Sequence, residues 1–232
     1  MKEYLDNIEY YDSVYKSHEA SHYRYCIPDG FSVTKNFIAH CLGMPLGFPV
    51  GRPNISKKIA AVKQYINDLD KEFSLVMIVE YFHESLILFK RLMNWQLTDI
   101  IYKRVNRGTY YFTFSQEHKA KHRRWTPIDY MIYDHFNQSL WRKIAAEGPE
   151  FQDELQQFSE IQFQVNRYCW GIHRNREGNL KIQSSPFNPP FRIMRDDCES
   201  MDISWLDKIK TKFDRDNRHV RDPRPELRKQ TC

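Results

Sequence analysis

Glu80, His83 and Glu84 sit within five residues of one another, directly after the apolar run Leu75-Val76-Met77-Ile78-Val79. Two carboxylates four residues apart across an element junction can face one crevice. There they can hydrogen-bond sugar hydroxyls or act as a general base. The same positions have a plainer use, with Glu84 favoured by a helix dipole and Glu80 paired with a nearby Lys or Arg. His83 can shuttle protons or stand as a solvated loop histidine. A second group is cationic: Lys103, Arg104, Arg107, Lys119, Lys121, Arg123 and Arg124. Paired Arg contacts suit a phosphate or sulfate group, and a solvated charged face is the alternative. Interleaved Tyr and Phe resemble a stacking platform, but no nucleic-acid motif accompanies them. Asp129 and Tyr133 share one face of a predicted helix, a spacing that suits docking better than catalysis.

Several chemistries are not signalled. The chain holds no GxxxxGK, GxGxxG, HExxH or GxSxG pattern. Its five cysteines (Cys26, Cys41, Cys169, Cys198 and Cys232) include no close pair of the zinc-ribbon type, so no metal is expected. The sequons Asn54-Ile-Ser56 and Asn137-Gln-Ser139 permit N-glycosylation in a secretory setting.

The elements that position these groups follow from periodicity and breakers. The run over 74–80 predicts a strand buried on both faces, and the helical spacing from 84 to 94 predicts a helix packed back on it. Glu80, His83 and Glu84 would then lie at the carboxyl end of a central strand, where open α/β sheets bind ligands. Upstream, Thr34–Leu42 reads as a short helix closed by Gly43. Ser56 reads as the cap of a helix burying Ile59, Val62, Ile66 and Leu69. From Thr98 to Val105 a short helix or irregular stretch is expected. A long helix after Pro127 buries Ile128, Met131, Ile132, Phe136, Leu140 and Ile144, and Gly148-Pro149 ends it. A further helix over 149–167 carries Phe151, Leu155, Phe158, Ile161 and Val165. Residues 170–192 read as loop, 200–213 as a last helix, and 214–232 as a charged disordered tail. With 232 residues, 41% hydrophobic and 15% aromatic, one domain over 1–213 plus that tail is the expectation. The net charge of +5, from 35 basic and 30 acidic residues, suits an anionic ligand without requiring nucleic acid. No run approaches the roughly 20 apolar residues of a membrane span, and Met1 opens no signal peptide.

The string from Val79 to Trp95, VEYFHESLILFKRLMNW, resembles the segment EYFDESLxLLKRLxxW of the galactose 3-O-sulfotransferase family. Trp125 to Trp141, WTPIDYMIYDHFNQSLW, is similar to its WxxLDxxLYDHFNxxFW, in the same order and at a similar separation. Tyr4–Tyr11 and Leu46-Gly47-Phe48 look like weaker landmarks, and the resemblance covers roughly 3–210. It implies a partial P-loop-type sulfotransferase fold, α/β with a parallel sheet core flanked by helices and a helix-rich C-terminal part. It implies transfer of a sulfuryl group from 3′-phosphoadenylyl sulfate (PAPS) to the 3-hydroxyl of galactose on glycolipids such as galactosylceramide, or on glycoproteins. The implied setting is the lumenal side of the Golgi membrane, reached through an N-terminal anchor. The family's PAPS loop has no match in these residues, so the chain corresponds to the C-terminal portion. A non-catalytic module that binds glycan or a partner is the alternative. His83 stands where the family usually has Asp. Glu80 and Glu84 are the catalytic candidates and Lys103, Arg104 and Arg107 the donor-binding ones. The resemblance also implies glycosylation at Asn54 and Asn137 and a disulfide between Cys169 and Cys198.

Overall fold

The computed structural model describes residues 5–8, 10, 13, 35–46, 53–104, 113–171 and 178–202. These fall into two compact units: one takes the described residues up to Ser74 together with 113–139, and the other takes 75–104 and those from Leu140 onward.

The first unit is helical: α1 (Phe37–Cys41), α2 (Ile59–Glu72), α4 (Gln116–Trp125) and the residues of α5 (Pro127–Ala146) up to Ser139. Gly43 ends α1 at φ +78°, where its N–H reaches the His40 carbonyl and Met44 N–H reaches Ala39. On α2 the stripe Val62, Ile66 and Leu69 is buried, whereas Ile59, as the first helical residue, is 54% exposed. The cap expected at Ser56 is not formed. Lys58 occupies the N-cap position, and Ser56 N–H instead donates to Asn54 Oδ1 at 2.9 Å.

Helices α1 and α5 satisfy one another's first turns. Asp129 accepts from the N–H groups of Ile38 (3.2 Å) and Ala39 (2.9 Å), and Asn36 Oδ1 accepts from Ile128 N–H at 2.9 Å. Asp129 is therefore the docking residue its position on the helix predicted, and its partner is a helix end rather than a sheet. Burial raises its pKa, while the backbone N–H groups it accepts from pull the other way. Farther along α5, His135 (3.0 Å) and Ser139 (2.9 Å) both bond Asp70 of α2.

The second unit holds the extended residues 75–78, a 3-10 turn at Val79–Tyr81, α3 (Phe82–Met93) and a 3-10 turn at Leu97–Ile100. The end of α5, α6 (Glu150–Gly171), β1 (Leu180–Ile182), β2 (Phe191–Ile193) and α7 (Arg195–Asp202) complete it. Here the expected architecture needs correction. The run 74–80 forms no ladder with other described residues, and no parallel sheet is found among them; their sheet is the antiparallel pair β1–β2, with Lys181 opposite Arg192. A local cause is visible. The Ser85 hydroxyl, fully buried, accepts from Ile78 N–H at 3.1 Å and donates to Ile78 O at 3.4 Å. It takes both backbone groups that Ile78 would offer to a neighbouring strand. The run then bends into the 3-10 turn, leaving Val79 82% exposed.

Other boundaries moved less. Asn94, in the left-handed region at φ 52°, ends α3, and Gly148 at φ +84° separates α5 from α6. The expected inner residues of α6 are confirmed in Phe151, Phe158, Ile161 and Val165, and the helix runs on to bury Cys169. Cys169 is disulfide-bonded to Cys198 of α7, with Cα atoms 5.3 Å apart. The stretch 170–192, read as loop, contains β1 and the first residues of β2; three-residue strands on either side of Pro186, Pro189 and Pro190 give too few alternations to register as period two. The described part of the last helix starts at Arg195 rather than Ser200, and residues 203–232, including the expected tail, lie outside the described residues. No described helix is long and apolar enough to cross a membrane.

Helices α3 and α6 are bolted together through charge. Glu154, 2% exposed, takes Lys90 Nζ on one oxygen at 2.8 Å and Arg91 on the other at 2.7 Å; Arg91 also reaches Glu147 at 2.8 Å.

Candidate active site

A cavity of about 720 Å³ opens in the second unit between the start of α3, the stretch 102–104 and one side of α6. The 3-10 turn places Glu80 on it, exposed. The first turn of α3 adds His83 and Glu84, both half-buried. The helical spacing of α6 directs Leu155 and Ser159 into the same space. Residues 102–104 follow the Leu97–Ile100 turn and are held against α6 by side-chain amides. Gln162, 2% exposed, accepts from Tyr102 N–H at 3.2 Å and donates to Tyr102 O, and Asn166 accepts from Arg104 N–H at 2.9 Å. These amides do for an irregular segment what a neighbouring strand would do in a sheet.

His83 lies at the centre. Its Nδ1 is 2.8 Å from Ser159 Oγ and its Nε2 is 3.0 Å from Tyr102 Oη, and its ring packs edge-on against Phe158. Burial lowers the His83 pKa, and the nearby Glu84 carboxylate opposes that shift. A neutral imidazole donates from one nitrogen and accepts at the other, so one hydroxyl gives it a proton and the other receives one. Burial raises the Tyr102 pKa, against the pull of Arg104. The phenol is thus neutral, and His83 is neutral near pH 7.

Glu80, Glu84, Lys103 and Arg104 border one cavity. Arg107 lies outside the described residues. The rest of the basic group does not join them. Lys119, Lys121, Arg123 and Arg124 fall on α4 in the other unit, where Lys121 pairs with Glu117 at 3.1 Å and Arg123 stacks over Tyr130 at 4.3 Å. Proximity in sequence had grouped charges that belong to different units. Asn54 is exposed, whereas Asn137 is half-buried on α5 with its Oδ1 unbonded. Two members escaped the sequence reading, Tyr102 and Ser159. Ser159 had a signal: it is one turn after Leu155 and adjoins the buried Phe158.

The two carboxylates and two cations leave the lining formally balanced, with hydroxyl and imidazole groups between them and the exposed faces of Val79 and Phe82 beside them. Such a lining can hydrogen-bond hydroxyl groups and pair with an anionic group. Against this geometry, the family model of the galactose-3-O-sulfotransferases matches residues 13–197, a span that contains every residue lining the cavity. The chain belongs to the galactose-3-O-sulfotransferase family. It is 36% identical over 126 residues to human galactosylceramide sulfotransferase and 36% identical over 128 residues to mouse galactose-3-O-sulfotransferase 3; each match covers 53% of this chain and 30% of the relative. It is also 29% identical over 148 residues to pig galactose-3-O-sulfotransferase 2, covering 61% of this chain and 36% of that protein. The matched part of this family member thus spans about a third of its relatives' length. No solved structure matches the chain.

Proposed function

We infer that this chain supplies the acceptor wall of a galactose 3-O-sulfotransferase, and that the cavity around His83 takes a terminal galactose of a glycolipid or glycan. The charge balance of the lining supports this reading most directly. PAPS carries several negative charges on its phosphates and sulfate. A cavity with Glu80 and Glu84 set against Lys103 and Arg104 does not fit that whole nucleotide, but it fits a neutral sugar with one sulfuryl group at the cationic end. Lys103 and Arg104 are the residues that would face sulfuryl oxygens; the rest of the donor has no counterpart in the lining.

The reaction is a displacement at sulfur. The galactose 3-oxygen forms the new S–O bond, the bond from sulfur to the donor phosphate breaks, and the hydroxyl proton leaves to a base. Glu80 or Glu84 would take that proton, and their removal would also cost hydrogen bonds to the sugar. The Ser159–His83–Tyr102 chain fixes the orientation of the phenol and holds a neutral wall, so no further charge opposes the sulfuryl group. The same charge balance favours one other reading, a glycan-binding module that does not transfer sulfate.

Calorimetry on residues 1–232 with lactose and with 3′-phosphoadenosine 5′-phosphate tests the acceptor assignment. Lactose should bind with near-millimolar affinity, about 4 kcal/mol, and Glu80→Ala with Glu84→Ala should abolish it. Binding of the nucleotide without lactose would overturn the reading. Transfer from labelled PAPS to lactose then separates enzyme from binding module.

A further inference from the structure

One residue bordering the cavity takes no part in its polar chemistry. Phe82, the first residue of α3, lines the space and is 38% exposed. Glu80 and Glu84 flank it and line the same space, and neither makes a hydrogen bond or ion pair with another described residue. An apolar ring open to water is unfavourable until something covers it. Between two carboxylates, that cover must also offer hydrogen-bond donors.

The ring is held in place. It meets Tyr102 in a T-shaped contact, with centroids 5.2 Å apart and planes at 83°. The Tyr102 hydroxyl is fixed by His83 Nε2 at 3.0 Å, and His83 Nδ1 by Ser159 at 2.8 Å. A ring held in this way loses little freedom when a ligand covers it. Among the described residues no cation lies over it: Lys103, on the same cavity, sets its Nζ 4.8 Å above Trp170 instead. An anion is repelled by the negative face of an aromatic ring. The ligand that fits is apolar on one side and hydroxylated around its rim.

Hexopyranoses have that shape, and galactose has it in the more developed form. Its axial 4-hydroxyl leaves the hydrogens on C3, C4 and C5 together on one face, whereas the equatorial 4-hydroxyl of glucose breaks up that patch. These C–H groups carry partial positive charge and pack on the negative face of an aromatic ring. The 3-hydroxyl is equatorial, so it points along the sugar plane, away from the stacked face.

We propose that Phe82 is a specificity-determining residue of this cavity: the C3–C4–C5 face of a terminal galactose packs on its ring, while Glu80 and Glu84 accept from hydroxyls at the rim. This assignment rests on the cavity taking a galactose acceptor, and adds to it the discrimination of galactose from glucose.

Calorimetry of residues 1–232 with lactose, which ends in galactose, and cellobiose, which ends in glucose, tests the proposal. Lactose should bind about tenfold more tightly, and Phe82→Leu should narrow that ratio to about twofold, the span expected for one aromatic face contact. Phe82→Tyr keeps the ring and should keep the ratio. Saturation-transfer NMR adds a readout that a general loss of packing does not imitate. Irradiating the protein's aromatic protons should reach galactose H3, H4 and H5 more strongly than H2 in the parent and in Phe82→Tyr, and Phe82→Leu should lose that contrast. Absence of lactose binding by the parent would overturn the acceptor reading and this one with it. Lactose binding with an unchanged ratio in Phe82→Leu would overturn the Phe82 assignment alone. So would saturation spread evenly around the galactose bound to the parent, a result that needs no variant to fold.

Discussion

Replacing Glu154 should loosen the second unit more than any other single charge removal. Its two oxygens take Lys90 and Arg91 at 2.8 and 2.7 Å in a site where Glu154 is 2% exposed. Charged hydrogen bonds of this kind are worth roughly 1.5–3 kcal/mol each, and removing one partner of a buried pair costs about 3–5 kcal/mol. Here the stranded cations keep some relief. Lys90 and Arg91 side chains are 15% and 23% exposed, and Arg91 retains Glu147. The lower end applies, about 3 kcal/mol for Glu154→Ala. Lys90→Met should cost only about 1 kcal/mol, because Glu154 then keeps Arg91. For a unit of this size 3 kcal/mol corresponds to a fall in Tm of at least about 12 °C. Urea titration followed by tryptophan fluorescence reads the difference. A loss below about 1 kcal/mol for Glu154→Ala, or an equal loss for Lys90→Met, would refute the view that this carboxylate joins α3 to α6.

Further expectations are independent of that one. Reducing the Cys169–Cys198 bond, which closes a separation of 29 residues, should cost about 3–4 kcal/mol on the chain-entropy estimate, seen as a lower urea midpoint in dithiothreitol. Asp129→Ala should cost about 1–3 kcal/mol in thermal melts, since two backbone N–H groups at the start of α1 lose their acceptor. His83 has a folded pKa below its unfolded value, so the unfolded chain binds the extra proton first. The stability it contributes is present above about 6.5 and is lost as pH falls through that value toward the folded pKa. Urea midpoints of the parent and His83→Asn at pH 7.5 and 5.5 should converge at the lower pH, and a constant gap would reject the assignment.

The helices were legible because α2, α5 and α6 each bury a stripe at spacings of three and four, and the breakers Gly43 and Gly148 lie where the backbone turns left-handed. The pairing of Glu80 and Glu84 with Lys103 and Arg104 was legible as a list of residues, not as a place. What assembles them is a pair of side-chain amides, Gln162 and Asn166, whose role depends on contacts some 60 residues away in sequence. No local pattern encodes that. The run 75–79 was misread because apolar β-branched residues report only that a segment is extended and partly buried. Whether a ladder forms depends on the groups beside it, and at Ile78 the competitor was a serine hydroxyl.

That hydroxyl bears on solubility. An apolar, β-branched segment with uncommitted backbone is the usual seed of cross-β aggregation, which requires about six or seven residues in register. With both backbone groups of Ile78 taken by one hydroxyl and the chain turning at Val79, less of the stretch can add to another chain along that edge. A single buried oxygen thus acts as a gatekeeper, stopping a growing ladder where charge or proline would otherwise be needed.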